Sequence, residues 1–514
     1  MASIAQAHRL EKPTDAERRD LAILCAIAAA FALLHIGTNG RYGFNRDELQ
    51  FLTDARHLAW GYVAYPPLTP FIQRIGLHLF GLSLMGLRLF SVIAQAIAIL
   101  VTGLMARDLG GGRAAQVTAA LAVALSPVPM IESTEFEYNT FDYLFWVLIA
   151  WFVIRLLKSD NPRWWIAIGA AAGLGLMTKY NILFYLAGVL AGVAFTSARR
   201  YLKSGWFWAG IALAFLIVLP NLLWQIHNHF ISYVFLQSIH ARDVHNGRGD
   251  QFLKDQISFC INIVAAPLAL AGFIFFLRGG FMSDRRYRML AWMYAVPVAI
   301  LILANGRGYY TGGAYPTLLA AGSVACAHML KTLPTAASRA LASIFYVALG
   351  AVGAYTMATV IPFASSGPLR DFALANNSGL REEFGWEELV RTVASIRDSL
   401  TPEQQAHLGI TTGNYGEYGA IEIFGAAYHL PSPIGTKNSE WLRGYPASQP
   451  TTIIALGLNA EQANALFTGC RWAGHNGNSL GLRNEESQYH PDIFVCGPPR
   501  DPWPVFWKKH RDFG

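Results

Sequence analysis

Charged residues are scarce in this sequence. Of its 514 residues, 14% are charged and 53% are hydrophobic, whereas an ordinary soluble domain has about 25% charged residues. The mean hydropathy is positive, at +0.31. This composition excludes a typical soluble globular protein, and it predicts a multi-pass membrane protein whose helices each need about 20 residues to cross the bilayer.

Cysteine is also rare, and its spacing excludes the common metal motifs. The five cysteines form no CxxC pair and no Cys/His cluster with zinc spacing. Cys470 and Cys496 both lie in the polar tail, where they are either two independent buried thiols or a disulfide, and we expect the disulfide. No nucleotide-sugar motif, repeat or low-complexity tract occurs either, so we expect no cofactor and no metal.

The net charge of +7 does not point to nucleic acid, because a basic excess in a membrane protein normally belongs to its cytoplasmic loops. The chain contains eleven apolar segments that we predict as transmembrane helices. They are residues 21–37, 84–106, 114–130, 141–157, 164–177, 180–197, 205–223, 257–277, 290–303, 314–330 and 341–361. The first shows no small-residue cleavage site, so we interpret it as an uncleaved span.

The loops between these segments differ in basic content. If the N-terminus is cytoplasmic, the cytoplasmic segments carry eighteen Lys and Arg residues, among them Arg9 and Lys12, and the opposite loops carry nine. This asymmetry predicts a cytoplasmic N-terminus and an external C-terminus. We therefore predict a transmembrane domain over residues 1–361, with an amphipathic periplasmic loop over 40–83, and an extracytoplasmic domain over 362–514.

The sequence pattern of the tail from residue 362 predicts a small α/β domain. Residues 408–412, 451–456 and 492–496 read as short buried strands, and residues 386–400 and 461–467 as helices. Thr401 is placed to cap a further helix.

The first long loop carries two adjacent carboxylates, Asp47 and Glu48, close to the membrane. From Leu49 to Tyr62 the apolar residues recur at helical spacing, which predicts an amphipathic helix lying on the bilayer and ended by the Pro66-Pro67 pair. The two acids either cap this helix or include a base that deprotonates a hydroxyl group.

Other polar groups fall on the same predicted side. Glu132, Glu135, Glu137 and Asp142 form an acidic turn, which is either solvated or a counterpart to a cation, and Asp142 alone could cap the next helix. Lys179 stands between two short apolar segments, where an ionisable residue is more often functional than a snorkelling side chain.

Two further loops are basic. The loop over residues 224–256 contains several histidines and Arg242, and it suggests an anionic ligand. The glycine-rich stretch around Arg307, Tyr309 and Tyr310 is either a flexible turn with interfacial tyrosines or a contact surface for phosphate and sugar.

Several motifs together resemble the GT-C membrane glycosyltransferases, in particular the bacterial members of the protein O-mannosyltransferase-like family 39 that include lipid A aminoarabinose transferases. The order and placement of the motifs carry the resemblance across the whole chain. They are Asp47-Glu48, Gly61-Tyr62, Tyr65-Pro66-Pro67-Leu68, Thr140-Phe141-Asp142, Leu176-Met177-Thr178-Lys179, Tyr309-Tyr310, Tyr315-Pro316, Gly385-Trp386-Glu387-Glu388-Leu389-Val390 and Asn414-Tyr415-Gly416-Glu417.

The resemblance implies inverting transfer of a sugar from a polyprenyl-phosphate donor to an envelope glycan or lipid acceptor. It implies that Asp47 is the base, that Glu48 supports it, that Asp142 shapes the acceptor side and that Lys179 holds the donor phosphate. From their placement we add Arg242, Arg307, Tyr309, Tyr310 and Tyr65 as substrate-binding candidates.

Two departures from the family qualify this interpretation. No MIR-type lectin region is present, so protein acceptors are not supported, and Tyr180 follows the lysine where relatives often have glycine. A transporter or flippase of an anionic lipid, or an envelope scaffold, is the alternative, since intramembrane charge and glycine breaks would serve either. The absence of an inverted repeat argues against transport.

Overall fold

The computed structural model describes residues 14–280 and 284–514. Its first part is a bundle of helices, and these elements extend through Val360. The helices are α1 Asp15–Ile36, α2 Arg46–Arg56, α3 Leu68–Phe80, α4 Leu84–Asp108, α5 Arg113–Ala124, α6 Pro127–Glu132, α7 Tyr138–Ser159, α8 Trp164–Leu176, α9 Ile182–Phe195, α10 Gly205–His227, α11 Ile231–His245, α12 Phe252–Ser258, α13 Ala266–Arg278, α14 Arg288–Leu303, α15 Tyr315–Lys331 and α16 Thr335–Val360. Arg9 and Lys12, which entered the charge asymmetry, lie outside the described residues.

Nine of the eleven predicted apolar segments each overlap one α-helix of the bundle, whereas residues 114–130 are divided between α5 and α6 and residues 257–277 between α12 and α13. Six of the described helices are long and apolar enough to cross a membrane, or up to eight if each of two bent pairs is one span. Helices α5 and α8 have 12 and 13 residues, fewer than the about 20 that a span needs. The predicted multi-pass helical architecture is therefore present, but the length and composition of the helices support fewer than eleven independent spans.

Small residues bring neighbouring helices of the bundle into direct backbone contact. A Cβ atom added to Gly322 of α15 would lie 1.8 Å from the carbonyl oxygen of Leu268 in α13, and one added to Gly272 would lie 2.0 Å from that of Leu318. Such close approach is characteristic of helix packing inside membranes, where backbone contact replaces the missing hydrophobic effect.

Ion pairs join the loops at one end of the bundle. Asp108 at the end of α4 binds Arg155 at 3.3 Å and Lys158 at 2.9 Å, both from the end of α7. Asp20 of α1 binds Arg113 of α5 at 2.5 Å. These basic residues belong to loops that the charge asymmetry assigns to one face, so the fold groups them as that assignment requires.

The second part of the chain is an α/β unit with a five-stranded mixed sheet. Its helices are α17 Pro368–Asn376, α18 Trp386–Asp398, α19 Pro402–Ala406, α20 Tyr415–Phe424, α21 Asn438–Arg443, α22 Ala460–Leu466, α23 Glu485–Tyr489 and α24 Trp503–Lys509. Its strands are β1 Leu408–Thr412, β2 Pro433–Gly435, β3 Thr452–Ala455, β4 Arg471–His475 and β5 Asp492–Cys496, in the order β2-β1-β3-β5-β4.

Strand β1 pairs in parallel with β2 and β3, and β5 pairs antiparallel with β3 and β4. The three predicted strands and both predicted helices are present, and Thr401 caps α19 through a capping box with Gln404. Two strands were not predicted, because β2 has only three residues and β4 is largely exposed and lacks an apolar face.

Helix α2 differs from its prediction. It ends at Arg56, ten residues before Pro66, and its residues from Glu48 to Ala55 are buried in protein. Leu49 and Leu52 instead pack into the core of the α/β unit, so closely that a Cβ atom on Gly419 of α20 would lie 2.7 Å from that of Leu49. The apolar stripe is thus covered by protein, and α2 is a wedge between the bundle and the α/β unit.

A buried ion pair fixes the start of this wedge. Arg88 of α4 is fully buried, and its guanidinium donates to both oxygens of Glu48, at 2.8 and 2.7 Å. Glu383 of the α/β unit lies 3.3 Å away. Because an unpaired buried charge is strongly destabilising, these three side chains determine how α4, α2 and the α/β unit meet.

We expect Arg88→Ala to lower the free energy of unfolding by about 3–5 kcal/mol, because it leaves Glu48 and Glu383 buried without a cation. The measurement is denaturant or thermal unfolding of the detergent-solubilised protein. Arg113→Ala is the matched control: it breaks a pair whose arginine is 54% exposed, and we expect a loss of less than about 1 kcal/mol. Equal losses in the two variants would contradict the assignment.

The predicted disulfide between Cys470 and Cys496 is present, with a Cα–Cα distance of 4.0 Å and a sequence separation of 26 residues. It ties strands β4 and β5 together at the edge of the sheet. We expect the free energy of unfolding of the double variant Cys470→Ala/Cys496→Ala to be about 3 kcal/mol lower than that of the wild type. Dithiothreitol should destabilise the wild type but not the variant; a reductant effect of equal size on both would refute this contribution.

Candidate functional site

A cavity of about 1090 Å³ lies between the bundle and the α/β unit. Its wall brings together most of the residues that the sequence singled out. They include Asp47, Tyr65, Lys179, Arg242, Arg307 and Tyr310. Asp142, Glu48 and Tyr309 do not line it.

The adjacent acids Asp47 and Glu48 have separate roles. Glu48 forms the capping box of α2 by accepting from the backbone N–H of Asn45 at 2.8 Å, and it also accepts from that of Phe136 at 2.8 Å. Together with Arg88, these donors occupy its carboxylate. Asn45 is thus the N-cap of α2 and Glu48 its capping-box partner and structural anchor, whereas Asp47 is the acid that faces the cavity.

Asp47 is in the first turn of α2, and its side chain is 36% exposed. The hydroxyl group of Tyr415, from the α/β unit, donates to its carboxylate at 2.8 Å. The guanidinium of Arg46 lies 3.9 Å away and is held over the Tyr415 ring. Burial beside this carboxylate raises the pKa of Tyr415 well above its usual value, so that the tyrosine remains a hydrogen-bond donor.

Lys179 is located between α8 and α9, next to the loop that contains the Pro66-Pro67 pair. The N–H of Leu68 donates to the carbonyl oxygen of Met177 at 2.8 Å, which fixes the two loops to each other. The Lys179 ammonium lies 4.1 Å from the centre of the Tyr310 ring and 4.8 Å from that of Tyr138. Among the described residues it has no carboxylate within ion-pair distance, so its charge is available to a ligand.

A hydrogen-bonded path connects Lys179 to Asp47. The ammonium donates to the amide oxygen of Asn139 at 2.5 Å, and the Asn139 amide donates to Glu137. Glu137 in turn hydrogen-bonds Asp47. Burial, together with the nearby acids Glu135 and Asp47, raises the pKa of Glu137 well above its usual value, so this carboxyl group can donate to Asp47.

The structure corrects the position of Asp142. Helix α7 begins at Tyr138, so Asp142 lies one turn inside it and does not cap it. Its carboxylate accepts from the indole N–H of Trp146 and from the amide of Asn181, both at 3.1 Å. Asn181 lines the cavity and also donates to the carbonyl oxygen of Tyr310 at 3.0 Å. Asp142 thus orients the loops around Lys179 without lining the cavity itself.

The two predicted arginines differ in whether an acidic side chain of the protein neutralises them. Arg307 makes a two-pronged ion pair with Asp243, at 2.6 and 2.8 Å, and a bond to the hydroxyl group of Tyr309 at 3.1 Å. Its charge is therefore largely neutralised within the protein. Arg242 is exposed to the cavity and makes no ion pair among the described residues. Arg242 is thus the better second cation for an anionic ligand.

Tyr65 is buried, and its hydroxyl group donates to Asp54, which also binds Arg443 of α21. This interaction makes Tyr65 a second link between the bundle loop and the α/β unit. The described residues contain no group of three or more His, Cys, Asp and Glu side chains arranged to hold a metal ion.

Sequence reasoning missed Tyr415, Asn139 and Asp243. Tyr415 belongs to the Asn414-Tyr415-Gly416-Glu417 motif, which carried the family resemblance but no assigned role. Asp243 is adjacent to Arg242 in the sequence, but only the fold shows that it binds Arg307 instead.

Residues 64–224 match the family of dolichyl-phosphate-mannose-protein mannosyltransferases. The chain is 27% identical over 219 residues to the lipopolysaccharide core galacturonosyltransferase RgtB of Rhizobium johnstonii, which is 42% of this chain and 44% of that protein. It is 27% identical over 263 residues to the lipid A galacturonosyltransferase RgtD of the same organism, 50% of this chain and 54% of that protein. The chain thus matches about half the length of these curated relatives.

The fold has solved counterparts. The crystal structure of ArnT from Cupriavidus metallidurans bound to undecaprenyl phosphate aligns over 92% of this chain and 97% of that chain, with 14% identity and a TM-score of 0.54. Its apo form aligns over the same shares, with 16% identity and a TM-score of 0.56. The family match covers Tyr65, Asp142 and Lys179 but not Asp47. The chain therefore has a GT-C-type membrane fold, as its motifs predicted, and residues 64–224 are similar to the dolichyl-phosphate-mannose-protein mannosyltransferases.

Proposed function

We propose that this protein is an inverting glycosyltransferase that moves a sugar from a polyprenyl-phosphate donor to a glycan or lipid acceptor of the bacterial envelope. The observation that carries the proposal is that Asp47 and Lys179 line one cavity and are joined by a hydrogen-bonded path through Asn139 and Glu137. Two relatives are named as galacturonosyltransferases of the lipopolysaccharide core and of lipid A, and these names support an acceptor of that class.

In this mechanism Asp47 takes the proton of the acceptor hydroxyl group. The oxygen of that hydroxyl group attacks the anomeric carbon of the donor sugar at the same time. The bond between that carbon and the phosphate oxygen breaks, and the electron pair leaves with the polyprenyl phosphate. Lys179 and Arg242 stabilise the charge that develops on this phosphate, which is where fixed electrostatic contacts reduce the barrier most. One displacement inverts the anomeric configuration.

The cavity lies at the opposite end of the bundle from the ion-paired basic loops. By the positive-inside rule those loops are cytoplasmic, so we propose that the cavity and the α/β unit are on the periplasmic face of the inner membrane. A reporter that is active only in the cytoplasm should be silent when fused after Gly514 and active when fused after the cytoplasmic residue Lys158. A strong signal from the C-terminal fusion would reverse the topology.

The direct test of the function uses purified protein, a panel of labelled polyprenyl-phosphate sugars and lipopolysaccharide, with the product identified by mass spectrometry. Asp47→Asn should lower turnover by about 10²- to 10⁴-fold, the usual contribution of a general base. Asp371→Asn, which changes an exposed acid (62% side-chain exposure) that does not line the cavity, is the control.

If Asp47→Asn transfers normally, the base must be sought among Glu132, Glu135, Glu137 and Asp142. If the wild type binds polyprenyl phosphate but transfers no sugar from any donor, the lipid transporter is the better interpretation.

Lys179→Ala should weaken both donor binding and turnover, whereas Lys179→Arg should retain part of the activity because it keeps the charge and changes its shape. Donor affinity and initial rates are measured in parallel. Lys254→Ala, at an exposed lysine that does not line the cavity, should behave like the wild type. Unchanged kinetics in both Lys179 variants would show that the ammonium has no contact with the donor.

A further inference from the structure

We propose that the carboxyl edge of the parallel strands β2, β1 and β3 is the subsite for the sugar residues of the acceptor. This inference rests on the proposed function and specifies its substrate class: the group next to the attacked hydroxyl is a carbohydrate, not an acyl chain or a phosphate. No family motif assigned a role to this edge.

The cavity extends without interruption from the catalytic candidates to this edge of the sheet. Its wall includes Gly413, directly after β1, Lys437, two residues after β2, and Gly457, two residues after β3. These loops come so close that a Cβ atom on Gly413 would lie 2.4 Å from the carbonyl oxygen of Gly457. The same cavity wall contains Asp47, so a ligand at this edge can reach the base.

The topology of the sheet makes this edge a natural ligand site. From β1 the chain goes to β2 on one side, and from β3 it continues to β4 and β5 on the other. A crevice opens outside the carboxyl ends of parallel strands at such a reversal, and ligands of open α/β sheets bind there. Here the crevice between β1 and β3 faces the membrane half.

Polar groups without partners point to the chemistry of the ligand. Glu486 lines the cavity and is 2% exposed. One of its oxygens accepts from Asn414 at 2.7 Å, whereas the other has no hydrogen-bond partner among the described residues. A buried acceptor without a partner is costly, so a ligand hydroxyl group would satisfy it.

Two further residues of the cavity wall complete a surface suited to sugars. Gln462 is exposed and caps α22 by accepting from the backbone N–H of Asn459 at 3.0 Å, and Tyr489 is 66% exposed. Carboxylates and amides bind sugar hydroxyl groups, and an aromatic ring offers a flat apolar surface to a sugar face.

The other residues of this wall are unsuited to the phosphate groups and acyl chains of a lipid acceptor. Glu485 and Glu486 share one cation, Arg46, at 2.5 and 3.3 Å, so their remaining negative charge would repel a phosphate, and Lys437 is already paired with Asp512 at 3.0 Å. Apolar residues that would suit an isoprenoid or acyl chain are contributed by the bundle, among them Leu183, Leu236 and Leu301. The cavity thus has an apolar wall on the bundle and a hydroxyl-binding wall on the sheet.

The experiment uses the full-length protein in nanodiscs and two probes, lipopolysaccharide core oligosaccharide without lipid A and lipid A without core sugars. The test variant is Gln462→Ala/Tyr489→Ala, which leaves the ion pair between Glu486 and Arg46, at 3.3 Å, intact. Gln488→Ala, an exposed residue of the same helix α23 outside the cavity, is the matched control. Oligosaccharide affinity and the KM for the acceptor and for the donor are measured.

We expect the double variant to bind the oligosaccharide about tenfold more weakly, the effect of losing one or two modest contacts. Its acceptor KM should rise by a similar factor, more than its donor KM, and the control should match the wild type. Equal oligosaccharide affinity in the variant and the wild type, or displacement of the oligosaccharide by inorganic phosphate, would overturn the subsite.

Failure of the proposed function would look different. The wild type would then bind the oligosaccharide, and the double variant would bind it more weakly, while no polyprenyl-phosphate sugar was transferred by either protein. In that case the carbohydrate site stands and the transfer reaction does not.

Discussion

The arrangement of the whole molecule depends on how one buried arginine is neutralised. Arg88 is in the apolar bundle, where an isolated charge is prohibitive, and its guanidinium binds Glu48 of α2 and lies next to Glu383 of the α/β unit. The carbonyl oxygens of Asn39 and Gly43 accept its remaining donors. Three parts of the chain must therefore meet at one point, and the first turn of α2 is fixed with Asp47 directed at the cavity.

The cations that line the cavity differ in how far the protein neutralises them. Arg307 is neutralised by Asp243, whereas Lys179 is surrounded by aromatic rings and an amide oxygen. Aromatic faces stabilise an ammonium ion without cancelling its net charge. Lys179 thus keeps its charge for an anionic ligand, as Arg242 does, whereas the charge of Arg307 is moderated.

Local patterns in the sequence predicted a large part of this structure. Runs of apolar residues predicted the membrane helices and the strands β1, β3 and β5. Capping chemistry predicted the cap at Thr401, and the external location of the tail predicted the disulfide. The end of α2 did not follow, because the Asp54 carboxylate is buried by Tyr65, which lies beyond the helix, and by Arg443, which is 389 residues away. Tyr415 was missed for the same reason: its contact with Asp47 spans 368 residues, and no local signal encodes it.

The wedge position of α2 has a consequence for how proteins of this fold can be recombined. Leu49 and Leu52 belong by sequence to the membrane half, but by packing they belong to the core of the α/β unit. A chimera joined at residue 362 would place a foreign α20 on this helix, and the tight contact at Gly419 tolerates little change in shape. The exchangeable module is therefore discontinuous, and a functional transplant of the outer unit has to carry residues 45–56 with it.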